Sequence, residues 1–110
     1  MDAACEALIS KKGEDLMVLD VRGLSSVTDY FVIVTGGSAP QLRALSSDLE
    51  RTLKEKHGTA SSFRAGDPES GWMVVDYFDV VFHIFSREKR EYYDLERLWR
   101  DAPRLKRYEG

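Results

Sequence analysis

The chain has 110 residues, of which 43% are hydrophobic and 32% charged, with a formal net charge of −3. This is the composition of one globular domain; it excludes an intrinsically disordered chain and argues against a general nucleic-acid binder, which needs a basic surface. Apolar runs reach about six residues, far short of the ~20 that a membrane-spanning helix needs.

No basic, apolar and cleavable succession opens the chain, and the lone Cys5 has no second cysteine to pair with. Both features lead to the expectation of a reducing cytoplasm, with Cys5 a small, packed helix residue.

Taken in order, Asp2 to Lys12 has an Asp cap, apolar Ala4, Leu8 and Ile9, and a Lys-Lys-Gly end, which predicts a helix. Asp15 to Val21 and Tyr30 to Thr35 are apolar on both faces and rich in β-branched residues, as interior strands are. Gly36-Gly37-Ser38 then opens a long helix, with a Ser38/Gln41 capping-box pattern and Pro40 in the first turn. Leu42, Leu45, Leu49 and Leu53 give that helix one apolar stripe, and His57-Gly58 ends it.

Thr59 to Ser70 reads as a loop with a short edge strand around Ser62 to Arg64. Trp72 to Asp76 and Val80 to Phe85 predict a hairpin through Asp76-Tyr77-Phe78-Asp79, where Phe78 is a poor residue for a turn that wants positive φ. Ser86 is expected to cap a short helix to Tyr93, and Asp94 a last turn to Trp99, with Leu95 and Leu98 folding back on the sheet. Residues 1–103 thus form one domain, and 104–110 a loosely held charged tail. The order predicts a two-layer α/β fold: a mixed central sheet of four or five strands, with helices packed mainly on one face.

The chemical motifs are weak. Thr35-Gly36-Gly37-Ser38 followed by Asp48-Leu49-Glu50 superficially matches a nucleotidyltransferase signature. Metal binding there needs both carboxylates on one face, and on a helix i and i+2 point about 200° apart. The glycines and serine serve equally as a tight strand-to-helix turn or as an anion site. Asp76 and Asp79 lack an obvious third metal ligand, and His83 alternates with Val81 and Phe85 as a hydrogen-bonded histidine on an apolar face does. Arg87, Lys89 and Arg90 lie among acids and make a poor phosphate site.

Recognition residues are better represented. Gly71 to Trp99 holds both tryptophans and several tyrosines beside Asp76, Asp79, Asp94 and Glu96. From Asp67 to Glu96 the acids Asp67, Glu69, Asp76, Asp79, Glu88, Glu91, Asp94 and Glu96 outnumber Arg87, Lys89 and Arg90. Aromatics supply contact area and carboxylates orientation, a combination suited to a basic partner. Trp72 and Tyr92 are expected to be exposed anchors, and Trp99 to be partly core.

The same segment, GWMVVDYFDVVFHIFSREKREYYDLERLW, together with DLMVLDVRGLSSVTDYFVIVTGGS from Asp15 to Ser38, closely resembles the Iojap family, the bacterial ribosomal silencing factors. The family often has glycine where Phe78 stands. The resemblance implies a nucleotidyltransferase-like fold without its active site, no enzyme activity and no cofactor. It implies binding to the large ribosomal subunit through ribosomal protein number fourteen, which blocks joining of the small subunit and lowers translation. The expected partner-binding residues are Trp72, Asp76, Asp79, His83, Tyr92, Asp94, Glu96 and Trp99. A minor contact of Arg104, Lys106 and Arg107 with ribosomal RNA, and a homodimer when free, complete that expectation. The alternatives are a small nucleotide-binding or nucleotidyltransferase-like enzyme built on Gly36 to Ser38, and a dimerisation module with no ribosomal role.

Overall fold

The computed structural model describes residues 2–26, 28–58, 60–61 and 63–108. In chain order its elements are α1 (Asp2–Ser10), β1 (Glu14–Asp20), β2 (Tyr30–Thr35), α2 (Ala39–His57), β3 (Phe63–Asp67), β4 (Trp72–Asp76), β5 (Val80–Phe85), α3 (Arg87–Tyr93), α4 (Leu95–Leu98) and β6 (Arg104–Tyr108). The strands form one mixed sheet in the order β3-β4-β5-β2-β1-β6. β2 and β5 run parallel, and every other neighbouring pair is antiparallel.

The α/β class holds, with six strands where four or five were expected. The difference lies at the C-terminal end. Of the residues expected as a loose tail, Arg104–Tyr108 form β6, which pairs with β1 from Leu16↔Tyr108 to Leu19↔Arg104, and 109–110 lie outside the described residues. The pairing is continued by the Asp20 amide, which donates to the Pro103 carbonyl at 2.9 Å. The charge of RLKRY does not oppose this, because an edge strand needs charge to resist further pairing. The other edge, β3, starts at Phe63; Ser62 lies outside the described residues.

Strands β1, β2 and β5 are apolar on both faces because each face meets a different layer. Leu16, Val18, Val32, Val34, Phe82 and Ile84 pack under α1 and α2, against Ala4, Leu8, Leu42, Leu45, Leu49 and Leu53. Each leucine of the α2 stripe, fully buried, is worth about 1.5–3 kcal/mol. The opposite face buries Met17, Leu19, Val21, Ile33, Phe85 and Ala102, with Phe31, Trp72, Leu95 and Trp99 packed at its margin. The two large helices therefore share one face, as expected, while the short α3–α4 arm crosses to the other. Leu95 folds back on the sheet, but Leu98 does not and is 71% exposed.

The expected N-caps form at α2 and α3 but not at α4. Ser38 Oγ accepts the Gln41 amide, although the Gln41 side chain reaches the Lys11 carbonyl and so leaves the capping box half-formed. Gly58 closes α2 in the left-handed conformation, φ +63°. Ser86 caps α3 by accepting the Lys89 amide. Asp94 differs: its side chain makes no cap, and its backbone, at φ +46°, ends α3 by donating to the Arg90 carbonyl.

Gly71 couples β4 to α3. Its carbonyl accepts the Ser86 amide at 2.8 Å, its φ is +81°, and a Cβ there would lie 2.7 Å from Ser86 Oγ. Gly71→Ala should therefore combine left-handed strain with a disturbed helix cap and lose about 2–3 kcal/mol. Urea unfolding of the variant beside the wild type measures it; equal midpoints would disprove this coupling.

Candidate functional site

The register of the sheet sets out the exposed part of the second face in rows. Trp72 lies opposite Phe85, Val74 opposite His83, and Asp76 opposite Val81. Across the parallel pair, His83 meets Ile33 and Val81 meets Phe31. Since β4 alternates, Met73 and Val75 point to the α2 side, while Trp72, Val74 and Asp76 are half-buried on the open side.

Aromatic rings connect this face into one surface. Trp99 meets Phe31 at 5.2 Å between centroids and Phe31 meets His83 edge-on at 5.1 Å. Trp72 lies 4.5 Å from Tyr93, whose ring is set edge-to-face against Tyr92. Tyr92 is 76% exposed, as expected, whereas Trp72 is half-buried. Ring contacts of this kind add about 0.5–1.5 kcal/mol per pair beyond burial.

The carboxylates are spread around the surface. Asp76 Oδ1 accepts the Phe78 amide at 2.8 Å and so braces the hairpin turn. Asp79 is exposed beside it, and Asp94 is half-buried at the α3–α4 junction. Phe78 adopts φ +68°, the conformation for which it is poorly suited, and is 75% exposed at the tip. Glu96 is half-buried, and its Oε2 accepts from Arg90 Nε at 3.3 Å.

Sequence reasoning passed over Phe31 and Val74 and weighed Arg90 only as one of three bases among acids. Phe31 sits in a strand apolar on both sides, so alternation gave no sign of which face would be left open. Arg90 reads as a surface base in the REKREYY helix but is 8% exposed. Of the basic tail, the side chains of Lys106 and Arg107 lie outside the described residues. Arg104 donates to the backbone carbonyls of Glu96, Arg100 and Ala102.

The nucleotidyltransferase-like motif is taken apart by its arginines. Asp48 is buried and pairs with Arg51, while Glu50 pairs with Arg64 and accepts from Ser61. The two carboxylates thus face different partners, and neither is directed at the Gly36-Gly37-Ser38 turn. Among the described residues no group of three His, Cys, Asp or Glu side chains could hold a metal ion. None of the helices there is long and apolar enough to cross a membrane.

His83 is 8% exposed, and its Nδ1 accepts from Trp72 Nε1 at 3.3 Å, which puts the proton of the neutral ring on Nε2. Nε2 has no hydrogen-bond partner among the described residues, and burial pushes the pKa down to about 4. Because the folded pKa lies below the unfolded value near 6.5, the unfolded chain takes up the proton first. The stability this neutral ring preserves is whole above pH 6.5 and is lost as pH falls towards 4. Between pH 7 and pH 5 the loss amounts to about 2 kcal/mol. Unfolding free energies at the two pH values should show a drop smaller by that amount in His83→Gln than in the wild type; equal drops would refute it.

Comparison with known proteins agrees with this architecture. The family model "Ribosomal silencing factor during starvation" matches residues 1–109. The Bacillus subtilis ribosomal silencing factor RsfS is 41% identical over 101 residues, covering 92% of this chain and 82% of its own. A crystal structure of a Chromobacterium violaceum protein superposes with a TM-score of 0.84 at 37% identity, over 89% of this chain and 81% of that one. The mouse protein "Mitochondrial assembly of ribosomal large subunit protein 1" is 31% identical over 90% of this chain, which spans 44% of the mouse protein. With residues 1–109 matched by the family model and its fold shared with a solved relative at 37% identity, the chain belongs to the RsfS (Iojap) family of ribosomal silencing factors.

Proposed function

We propose that this protein binds the large ribosomal subunit through ribosomal protein number fourteen and, by occupying that site, blocks joining of the small subunit and represses translation. The observation that carries the reading is the half-open sheet face, where Trp72, His83 and Phe31 form a continuous apolar floor with Asp76 and Asp79 at one end. Family membership supports a ribosomal role, and the name of the mouse relative specifies a large subunit.

The physical division of labour follows the geometry. Trp72, Phe31 and Trp99 exclude water at the centre of the contact, where aromatic anchors contribute most. Asp76, Asp79 and Asp94 meet Arg or Lys side chains of the partner, which fixes orientation and speeds encounter. Tyr92 adds exposed area beside them, and His83 keeps Trp72 in place through its Nδ1. Arg104 gives a secondary contact to ribosomal RNA. The mechanism is steric, uses no cofactor and belongs to the cytoplasm.

In the free protein the same apolar face favours a homodimer, since exposed patches of this kind seek partners. Dimer and ribosome then compete for one surface.

Sedimentation with isolated ribosomal subunits tests the reading. The wild type should migrate with the large subunit alone and prevent its association with the small one. A Trp72→Ala, Asp76→Ala double variant should lose both properties by a factor of about 100 in affinity, the loss typical of two central contacts. Absence of the wild type from the large-subunit fraction at moderate salt would defeat the proposal.

A further inference from the structure

The α3–α4 arm carries Tyr93, Leu95 and Trp99 across the open face, and its apolar packing is joined by a polar tie. Arg90 is 8% exposed and reaches three parts of the fold at once. Its Nη1 donates to the Asp15 carbonyl at 2.6 Å and to Thr35 Oγ1 at 2.9 Å. Its Nε donates to Glu96 Oε2 at 3.3 Å, and its Nη2 stands 3.7 Å from Asp15 Oδ2. The start of β1, the end of β2 and the first turn of α4 are therefore tied through one guanidinium.

We infer that Arg90, held by Glu96, is a positioning residue that sets the arm's aromatics at their spacing from the sheet's aromatics, and so preorganises the docking surface. This deepens the proposed function and rests on it. Three observations carry it. Arg90 precedes Tyr93 by one helical turn, and Tyr93 is the ring that lies 4.5 Å from Trp72. Glu96 precedes Trp99 by three residues, and Trp99 is the ring that meets Phe31 at 5.2 Å. Two backbone positions near the guanidinium, Asp15 at φ +48° and Asp94 at φ +46°, hold the left-handed conformation, which aspartate tolerates better than most residues and which the ties of Arg90 to the Asp15 carbonyl and of the Asp94 amide to the Arg90 carbonyl hold in place.

Arginine suits this task because its planar fork points donors in fixed directions, which fixes angle as well as distance. Lysine supplies equal charge at a single point and would leave the arm free to pivot. The tie is also partly open. Arg90 Nη2 and Glu96 Oε1 have no hydrogen-bond partner among the described residues, beside a cleft of about 320 Å³ lined by Glu14, Thr35, Glu91 and Asp94. A buried ionic tie of this sort adds little net stability while fixing one geometry. On this view Glu96 serves the interface from behind rather than by touching the partner.

The test compares Arg90→Lys, Glu96→Gln and an Arg90→Met, Glu96→Met double variant with the wild type and with Trp72→Ala. The double variant leaves neither member of the Arg90–Glu96 pair buried without its counter-charge, so it keeps the question open if the single variants fold poorly. Each is titrated against purified large subunits below its unfolding temperature, and its amide exchange is followed by mass spectrometry. Expected are faster exchange across residues 87–102, unchanged exchange in β2 and β5, and an affinity lower by about tenfold, as for loss of a charged hydrogen bond.

Wild-type affinity in all three variants, with Trp72→Ala binding lost, would overturn the positioning role and leave the docking face standing. Wild-type affinity in Trp72→Ala would remove the docking face and this inference with it. Weakened binding together with faster exchange in β2 and β5 would show Arg90 to be a general stability residue and also overturn the role.

Discussion

The constraint on which the rest depends is that three strands, β1, β2 and β5, are apolar on both sides, while the two substantial helices cover one side. Burial of Val32, Val34, Phe82 and Ile84 under α1 and α2 drives collapse and fixes the register of the parallel β2–β5 pair. Once that register is set, Phe31, Ile33, Val81, His83 and Phe85 are committed to the second face. The chain then covers this face incompletely. The arm of α3 and α4 shields Phe85 and part of Phe31, β6 extends the sheet beyond β1, and the row from Trp72 to Asp76 is left half-open. The candidate site is thus a consequence of how little material remains after the core is built, rather than a pocket added to it.

Much of this was legible, for reasons that can be separated. Elements with one strong local signal were readable: the leucine stripe of α2, the Ser38 and Ser86 caps, and the Gly58 terminus each depend on a few consecutive residues. The four-residue connection showed that Phe78 is a poor fit to the turn but left its geometry open, and the residue takes the positive φ all the same. Features that depend on a distant partner were not readable. β6 exists because β1 offers an unpaired edge, which no property of Arg104–Tyr108 announces. Asp94 has the composition of a helix cap but is drawn into a left-handed turn by the chain reversal between α3 and α4. Arg90 looks solvated in sequence, since its acceptors come from residues 15, 35 and 96.

The site residues divide along the same line. Tyr92 was expected to be exposed as an aromatic with one wet edge, and it is. The placement of Trp72 required the register of β4 against β5, where its indole donates to His83 and lies over Phe85. The Asp48/Glu50 motif shows the converse, for a pattern that matches in sequence is separated by helical geometry and neutralised by two different arginines. Spacing carries chemical meaning only after the element that bears it is known.

The energetics of the open face show a compromise between stability and availability. His83 is kept neutral by burial, with one nitrogen unpartnered among the described residues, and Phe78 at one end of the sheet and Lys12, Asp15 and Asp94 elsewhere occupy left-handed backbone conformations. Each arrangement costs on the order of 1–3 kcal/mol in a domain whose total stability is about 5–15 kcal/mol. The α2 side has departures of its own, the left-handed Lys12 and the buried Ser46 and Tyr77 hydroxyls that lack partners among the described residues, although its caps, leucines and strand alternation agree with one another. Departures from local preference beside a candidate surface, such as the neutral buried His83 and the left-handed Phe78, are where function competes with stability. A fold chosen for stability alone would place glycine at the hairpin tip, an apolar residue at position 83 and a longer helix over the aromatic row. This chain keeps the row open and rigid, as a protein that acts by occupying space requires.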